Sequence, residues 1–110
     1  MDIKRKDFIR RYTDAARVRQ SYLIYHRKVL EFVIQLEICI NEKWFAVVRY
    51  DTAHGYAHRD YLHPDGRIDK TPIFYSNYNE ALTFVEEDIK NNWQLYQEHF
   101  IKEVAQNDGR

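Results

Sequence analysis

A chain of 110 residues with seventeen Lys/Arg against seventeen Asp/Glu carries no net charge, and its 45% hydrophobic content supplies one modest core, not two. The single cysteine, Cys39, excludes a disulfide framework and a zinc-cysteine cluster and suits a reducing compartment. No apolar run reaches the roughly 18 to 20 residues that span a bilayer, and the N-terminus MDIKRKDFIRR lacks the apolar centre of a signal peptide, so a single cytoplasmic domain over residues 1–110 with no membrane partner is expected.

Zero net charge hides a gradient. Met1 to Lys28 holds nine Lys/Arg against three Asp/Glu, Val29 to Tyr75 is at −2, and Ser76 to Arg110 is at −4. A basic N-terminal segment of this kind offers a surface to phosphates or to an acidic partner, or simply a solvated face.

From Lys4 to about Gln20, Phe8, Ile9, Tyr12, Ala15 and Ala16 fall on one stripe at helical spacing, with Lys4, Arg5, Arg10, Arg11 and Arg17 around it. This predicts an amphipathic N-terminal helix, with Thr13-Asp14 as the place where it could break and start afresh. Ser21 to His26 is rich in β-formers and reads as a short strand, or as the end of that helix, and Arg27-Lys28 as a turn. Val29 to Ile40 alternates: Phe32, Ile34, Leu36, Ile38 and Ile40 on one face, Glu31, Gln35 and Glu37 on the other, the pattern of a half-buried strand. Asn41-Glu42-Lys43 turns the chain into Trp44.

Trp44 to Tyr50 and Tyr56 to His63 then read as two strands joined by a loop ending in His54-Gly55. A two-residue turn at His54-Gly55 pairs Ala53 with Tyr56, Asp51 with His58 and Arg49 with Asp60, whereas a three-residue loop sets Arg49 against Arg59. Opposite charges facing across strands favour the first register, and a bulged three-residue loop is the alternative. One face of the hairpin then carries Arg49, Asp51, Tyr56, His58 and Asp60; the other carries Tyr50, Ala57, Arg59, Tyr61 and His63. Pro64-Asp65-Gly66 makes a turn, and Arg67 to Tyr75 is a last strand that Pro72 places at an edge.

After Tyr75 the period changes to 3.6. Asn77 and Glu80 resemble a capping box, and Leu82, Val85, Ile89, Trp93, Tyr96, Phe100 and Val104 form one stripe of about seven turns, with Gln106 to Arg110 as a tail. The stripe would cover the Phe32/Ile34/Leu36/Ile38 face, and its far end would pack on the N-terminal helix or on a second copy of the chain, giving a homodimer. The expected fold is α+β: an N-terminal helix, an antiparallel meander of four to five strands and a long C-terminal helix on one face.

Three of the five histidines, His54, His58 and His63, lie in the central hairpin among aspartate, arginine and tyrosine. These are the parts that RNA cleavage through the 2′-hydroxyl requires: a base, an acid and a cation for the phosphorane-like charge, with neither metal nor cofactor. In that scheme His58 and His54 are the acid/base candidates, Asp51 orients, Arg49 and Arg59 hold phosphate, Tyr56 donates, and His63, Tyr61 and Asp60 bind substrate. A metal site of Asp51, His54, His58 and His63 is disfavoured because His63 points to the opposite strand face from His58 and no zinc motif accompanies it. Walker, dinucleotide-binding and nucleophile-elbow patterns are absent.

The run RYDTAHGYAHRDYLHPDG, with Trp44 before it and EALTFVEEDIKNNWQLYQEHF after it, resembles a group of small prokaryotic proteins without an assigned activity, over roughly Val33 to Phe100. More loosely, the arginine-aromatic-aspartate strand end, the histidine loop, the further histidines and the closing helix resemble the TumE toxins of toxin-antitoxin modules. That resemblance implies action on RNA, neutralisation by a helix-turn-helix antitoxin, and functional positions at Arg49, Asp51, His54, His58 and His63; the paired adjacent histidines of that pattern are lacking. The sequence therefore points to a toxin-like, metal-independent ribonuclease, with a non-catalytic protein- or nucleic-acid-binding module as the alternative.

Overall fold

Strand β3 (Lys28–Ile40) is the axis of the fold, and a computed structural model describes the chain from residue 2 to residue 108. A thirteen-residue strand with one apolar face needs a partner on both sides for its backbone N–H and C=O groups. Both partners are sequence neighbours: β2 (Ala16–Tyr25) on one side and β4 (Lys43–Asp51) on the other. With β1 (Lys4–Thr13), β5 (His58–Leu62) and β6 (Ile68–Pro72) they form a six-stranded antiparallel meander in chain order. Pro72 is the last residue of edge strand β6, where a missing N–H costs no ladder bond.

The N-terminal helix expected over Lys4 to Gln20 is absent; this segment is the β1–β2 hairpin, reversing at Asp14-Ala15, and the strands number six instead of four to five. Parity explains the correction. Ala16, Val18 and Gln20 are buried and alternate with the less buried Arg17 and Arg19, and each pairs with an apolar residue of β3: Ile38, Leu36 and Ile34. The Phe8/Tyr12 part of the supposed helical stripe survives at strand spacing, with the ring of Phe8 edge-on to Tyr22 and Tyr12 stacked on Trp93 at 4.9 Å. The residues of this segment are compatible with either structure, and the open edge of β3 decides between them.

Helix α1 (Tyr78–Asp108) has 31 residues, longer than the expected seven turns, and is about 46 Å long at 1.5 Å per residue. It continues into the expected tail as far as Asp108, while Gly109 and Arg110 lie outside the described residues. Asn77 caps it: its Oδ1 accepts from the Glu80 amide at 2.9 Å, and the Glu80 carboxylate turns back to the Ser76 hydroxyl at 2.9 Å. Ala81, Leu82, Val85, Ile89 and Phe100 are buried against Phe32, Ile34, Leu36, Ile38, Val48 and Tyr50. The far end of the helix is held by the sheet itself, through Trp93 on Tyr12 and Phe100 on Phe45 with centroids 6.0 Å apart. Among the described residues no helix lies on the other face of the sheet, and the polar residues of β3 and β4 gather there.

Candidate functional site

Across the helix-free face the register sets side chains in rows perpendicular to the strands. One row runs Ile9, Arg19, Gln35, Arg49, Asp60, Lys70; the next runs Asp7, Ser21, Val33, Asp51, His58, Pro72. In the first row Arg49 Nε donates to Gln35 Oε1 at 2.8 Å, and Gln35 Nε2 donates to Glu37 Oε2 at 2.7 Å. Glu37 also accepts from Arg17 Nε at 2.6 Å and Arg19 Nε at 3.1 Å. Burial alone would raise the Glu37 pKa, but the hydrogen bonds from Arg17 and Gln35 and the neighbouring guanidinium charges outweigh it and hold the carboxyl below the usual range. The Arg17 guanidinium lies over the Trp44 ring, 3.8 Å from its centroid. Between β1 and β4 the face opens into a groove of about 750 Å³ lined by Arg19, Gln35, Arg49 and Asp51 among others, with exposed Ile9 and Val33 beside them.

The charge-based register is observed: Arg49 faces Asp60 and Asp51 faces His58. The two-residue turn is not. Pairing stops at Asp51/His58, so Ala53 does not pair with Tyr56, and the chain crosses by a single 3-10 turn, Ala53–Gly55. Thr52 leaves the hairpin to bond β3 instead, its amide donating to the Phe32 carbonyl and its Oγ1 accepting from the Phe32 amide, each at 3.2 Å. The reversal then needs two successive positive φ values, at His54 (69°) and Gly55 (85°).

The three hairpin imidazoles do not share a site. His58 is 1% exposed, its Nε2 2.9 Å from Asp51 Oδ1 and 3.7 Å from Asp60 Oδ2, its Nδ1 3.3 Å from the Tyr56 carbonyl, and the Tyr56 ring 5.2 Å away. His54 is exposed at the loop tip. His63 points to the helix side, where Nδ1 is 2.7 Å from Glu103 Oε2 and Nε2 is 2.6 Å from Asp69 Oδ2. Of the other expected residues, Arg49, Asp51 and Asp60 share the His58 face. Arg59 and Tyr61 face the helix: Arg59 Nη1 donates to the Tyr96 hydroxyl at 3.1 Å, and the Tyr61 hydroxyl donates to Glu103 at 3.0 Å. The helix-side partners Asp88, Tyr96 and Glu103, and the open-face residues Arg17, Arg19, Gln35, Glu37 and Lys70, were not among the candidates. For Gln35 and Glu37 the signal was present in the alternation of β3; Arg17 and Arg19 were hidden by the helical reading of their segment.

His63 has an acceptor on each ring nitrogen, an arrangement satisfied only by the doubly protonated ring. Hydrogen bonds to Asp69 and Glu103 accordingly raise its pKa above 6.5, and the bonds from His63 and Tyr61 outweigh burial to lower Glu103 below 4.5. A raised histidine stabilises the fold below its unfolded value and loses that contribution as pH rises through the folded one. A depressed carboxylate does so above its unfolded value and loses it as pH falls. The destabilisation caused by His63→Gln should therefore be largest between the ordinary values of 4.5 and 6.5 and shrink on either side, read from urea midpoints across pH. An effect independent of pH would contradict the assignment.

A family model matches residues 3–106. The chain belongs to the family described as Domain of unknown function (DUF7718). The match spans every strand and all but the end of the helix, so the open face and the helix-side networks are both within the family's domain. No curated protein and no solved structure matches the chain. Among the described residues no helix is long and apolar enough to cross a membrane.

Proposed function

We propose that this chain is a non-catalytic module that binds RNA on the helix-free face of its sheet. One observation carries the reading: Arg5 and Arg11 of edge strand β1 are exposed and fall by register on the same sheet face as Arg17, Arg19 and Arg49, and the groove on that face is lined by the guanidiniums of Arg19 and Arg49. The acidic helix packs on the opposite face, so these guanidiniums stand apart from its carboxylates. Phosphate neutralisation by such a strip is sequence-tolerant and salt-sensitive. Nanomolar chain titrated into fluorescently labelled single-stranded RNA should give an anisotropy change whose affinity falls with salt, and Arg19→Glu with Arg49→Glu should weaken it at least about tenfold. No binding at low salt, or equal binding by the double variant, overturns the reading.

A toxin-like ribonuclease is the second reading, favoured by the 2.9 Å pairing of Asp51 with His58 beside an exposed His54. It requires the His58 ring, which is buried beside Tyr56 in this conformation, to be uncovered. Total RNA incubated with the wild-type chain, His54→Ala and His58→Ala decides it: cleavage abolished by either substitution supports it, and no cleavage by the wild type ends it.

A further inference from the structure

Asp51, His58 and Asp60 each offer one ligand atom within 4.8 Å of the others, and the three side chains are 13%, 2% and 11% exposed. They are held by backbone pairing. Asp51 faces His58 across β4 and β5, and Asp60 is two residues on, on the same strand face. The other ring nitrogen, Nδ1, lies 3.3 Å from the Tyr56 carbonyl, an acceptor that suits an Nδ1–H and so a ring whose Nε2 is free to ligate. In that tautomer Nε2 presents a lone pair to two carboxylate oxygens, 2.9 and 3.7 Å away. Three lone-pair atoms facing one another in a buried space repel, and because Lys70 reaches only the outer oxygen of Asp60, a proton on Nε2 or a metal ion between the three would relieve the centre.

The geometry points to the metal: we propose that Asp51, His58 and Asp60 bind a first-row divalent cation, Zn2+ more tightly than Mn2+. Ligand atoms at about 2.0 to 2.2 Å from a common ion stand roughly 3 to 3.6 Å apart, a spacing that the two observed separations bracket. The histidine is oriented as metal-ligating histidines are, its far N–H given to a backbone carbonyl. Three protein ligands leave a coordination position open, as in sites that also hold water or a substrate. One nitrogen with two carboxylate oxygens suits a borderline cation, and Zn2+ follows Mn2+ in the order of intrinsic affinity.

Two cations face the cluster. Lys70 Nζ is 2.9 Å from Asp60 Oδ1, and Arg49 stands opposite Asp60 in register. Lys70 therefore competes with the ion for Asp60, and its half-exposed side chain is free to swing away.

The site does not depend on RNA binding and is assayed without RNA. Chelator-treated chain titrated calorimetrically with ZnCl2 alone, then with MnCl2 alone, should bind one equivalent of Zn2+ per chain and Mn2+ more weakly. Asp60→Asn should weaken Zn2+ at least about tenfold, Lys70→Gln should tighten it, and His26→Ala, in an exposed turn, should leave it unchanged. Circular dichroism checks that each variant is folded, and the surface change Lys70→Gln keeps the test decisive if Asp60→Asn is not. Absence of Zn2+ binding, binding indifferent to Lys70→Gln, or binding lost in His26→Ala overturns the proposal.

Discussion

Replacing Phe100 with alanine should cost about 3 to 5 kcal/mol of unfolding free energy, the range for truncating a buried aromatic. Phe100 is 2% exposed and lies on the helical stripe 23 residues after Asn77, where its ring meets Phe45 of β4. The N-terminal half of α1 is anchored by Ala81, Leu82, Val85 and Ile89, but the C-terminal half depends on Trp93, Tyr96, Phe100 and Val104. A hole at Phe100 therefore falls where few other side chains hold the helix down. For a domain whose total stability is on the order of 5 to 15 kcal/mol, this is a large share. Urea unfolding followed by circular dichroism measures it. Leu95→Ala, at a position 62% exposed on the same helix, should change stability by no more than about 0.5 kcal/mol. Equal effects at the two positions would mean that the helix does not dock as described.

The second large effect is expected at Asp88. Its carboxylate accepts from the hydroxyl of Tyr50, from the hydroxyl of Tyr96 at 2.8 Å and from Asn92 Nδ2 at 2.9 Å. Tyr50 is fully buried at the centre of the core, and burial together with its bonds to Asp88 and Tyr96 pushes its phenol far up, so it stays a donor throughout the working pH range. Asp88→Ala leaves that hydroxyl with only the Tyr96 oxygen at 3.4 Å, which should cost about 1 to 3 kcal/mol. Tyr50→Phe in the same background removes the orphaned donor and should recover part of the loss. A double-mutant cycle from urea midpoints should thus show a coupling of roughly 0.5 to 3 kcal/mol; strict additivity would contradict the network.

Where backbone period and charge pairing agreed, the sequence was readable in detail. The alternation of Val29 to Ile40 predicted β3 to within a residue, and the preference for Arg49 against Asp60 predicted the β4–β5 register. The change of period after Tyr75 located the helix and its Asn77 cap. The N-terminal segment was misread because Phe8, Tyr12 and Ala16 are spaced four apart, a separation that lies on one face of a helix and also, being even, on one face of a strand. Arginine, alanine and glutamine between them give no strong vote against the helix. The five-residue spacing of His58 and His63 did predict that they leave β5 on opposite faces.

Local preference and periodicity thus determined the kind and order of the elements from β3 onward and the charge gradient from basic N-terminal segment to acidic helix, but not the Ala53–Gly55 turn, the end of the last strand at Pro72 or the run of the helix to Asp108. Only the tertiary structure decided that the basic segment is a strand pair, because the open edge of β3 demands a partner that local propensity does not see. It alone brought together Arg19, Gln35 and Arg49 in one row, and it buried the Asp51, His58 and Asp60 that the hairpin register had already set on one face. Burial was likewise its decision: charge pairing predicted that His58 faces Asp51, but that the pair is closed off from solvent depends on how the surrounding strands and the Tyr56 ring pack over it, which the neighbours of His58 along the chain do not encode.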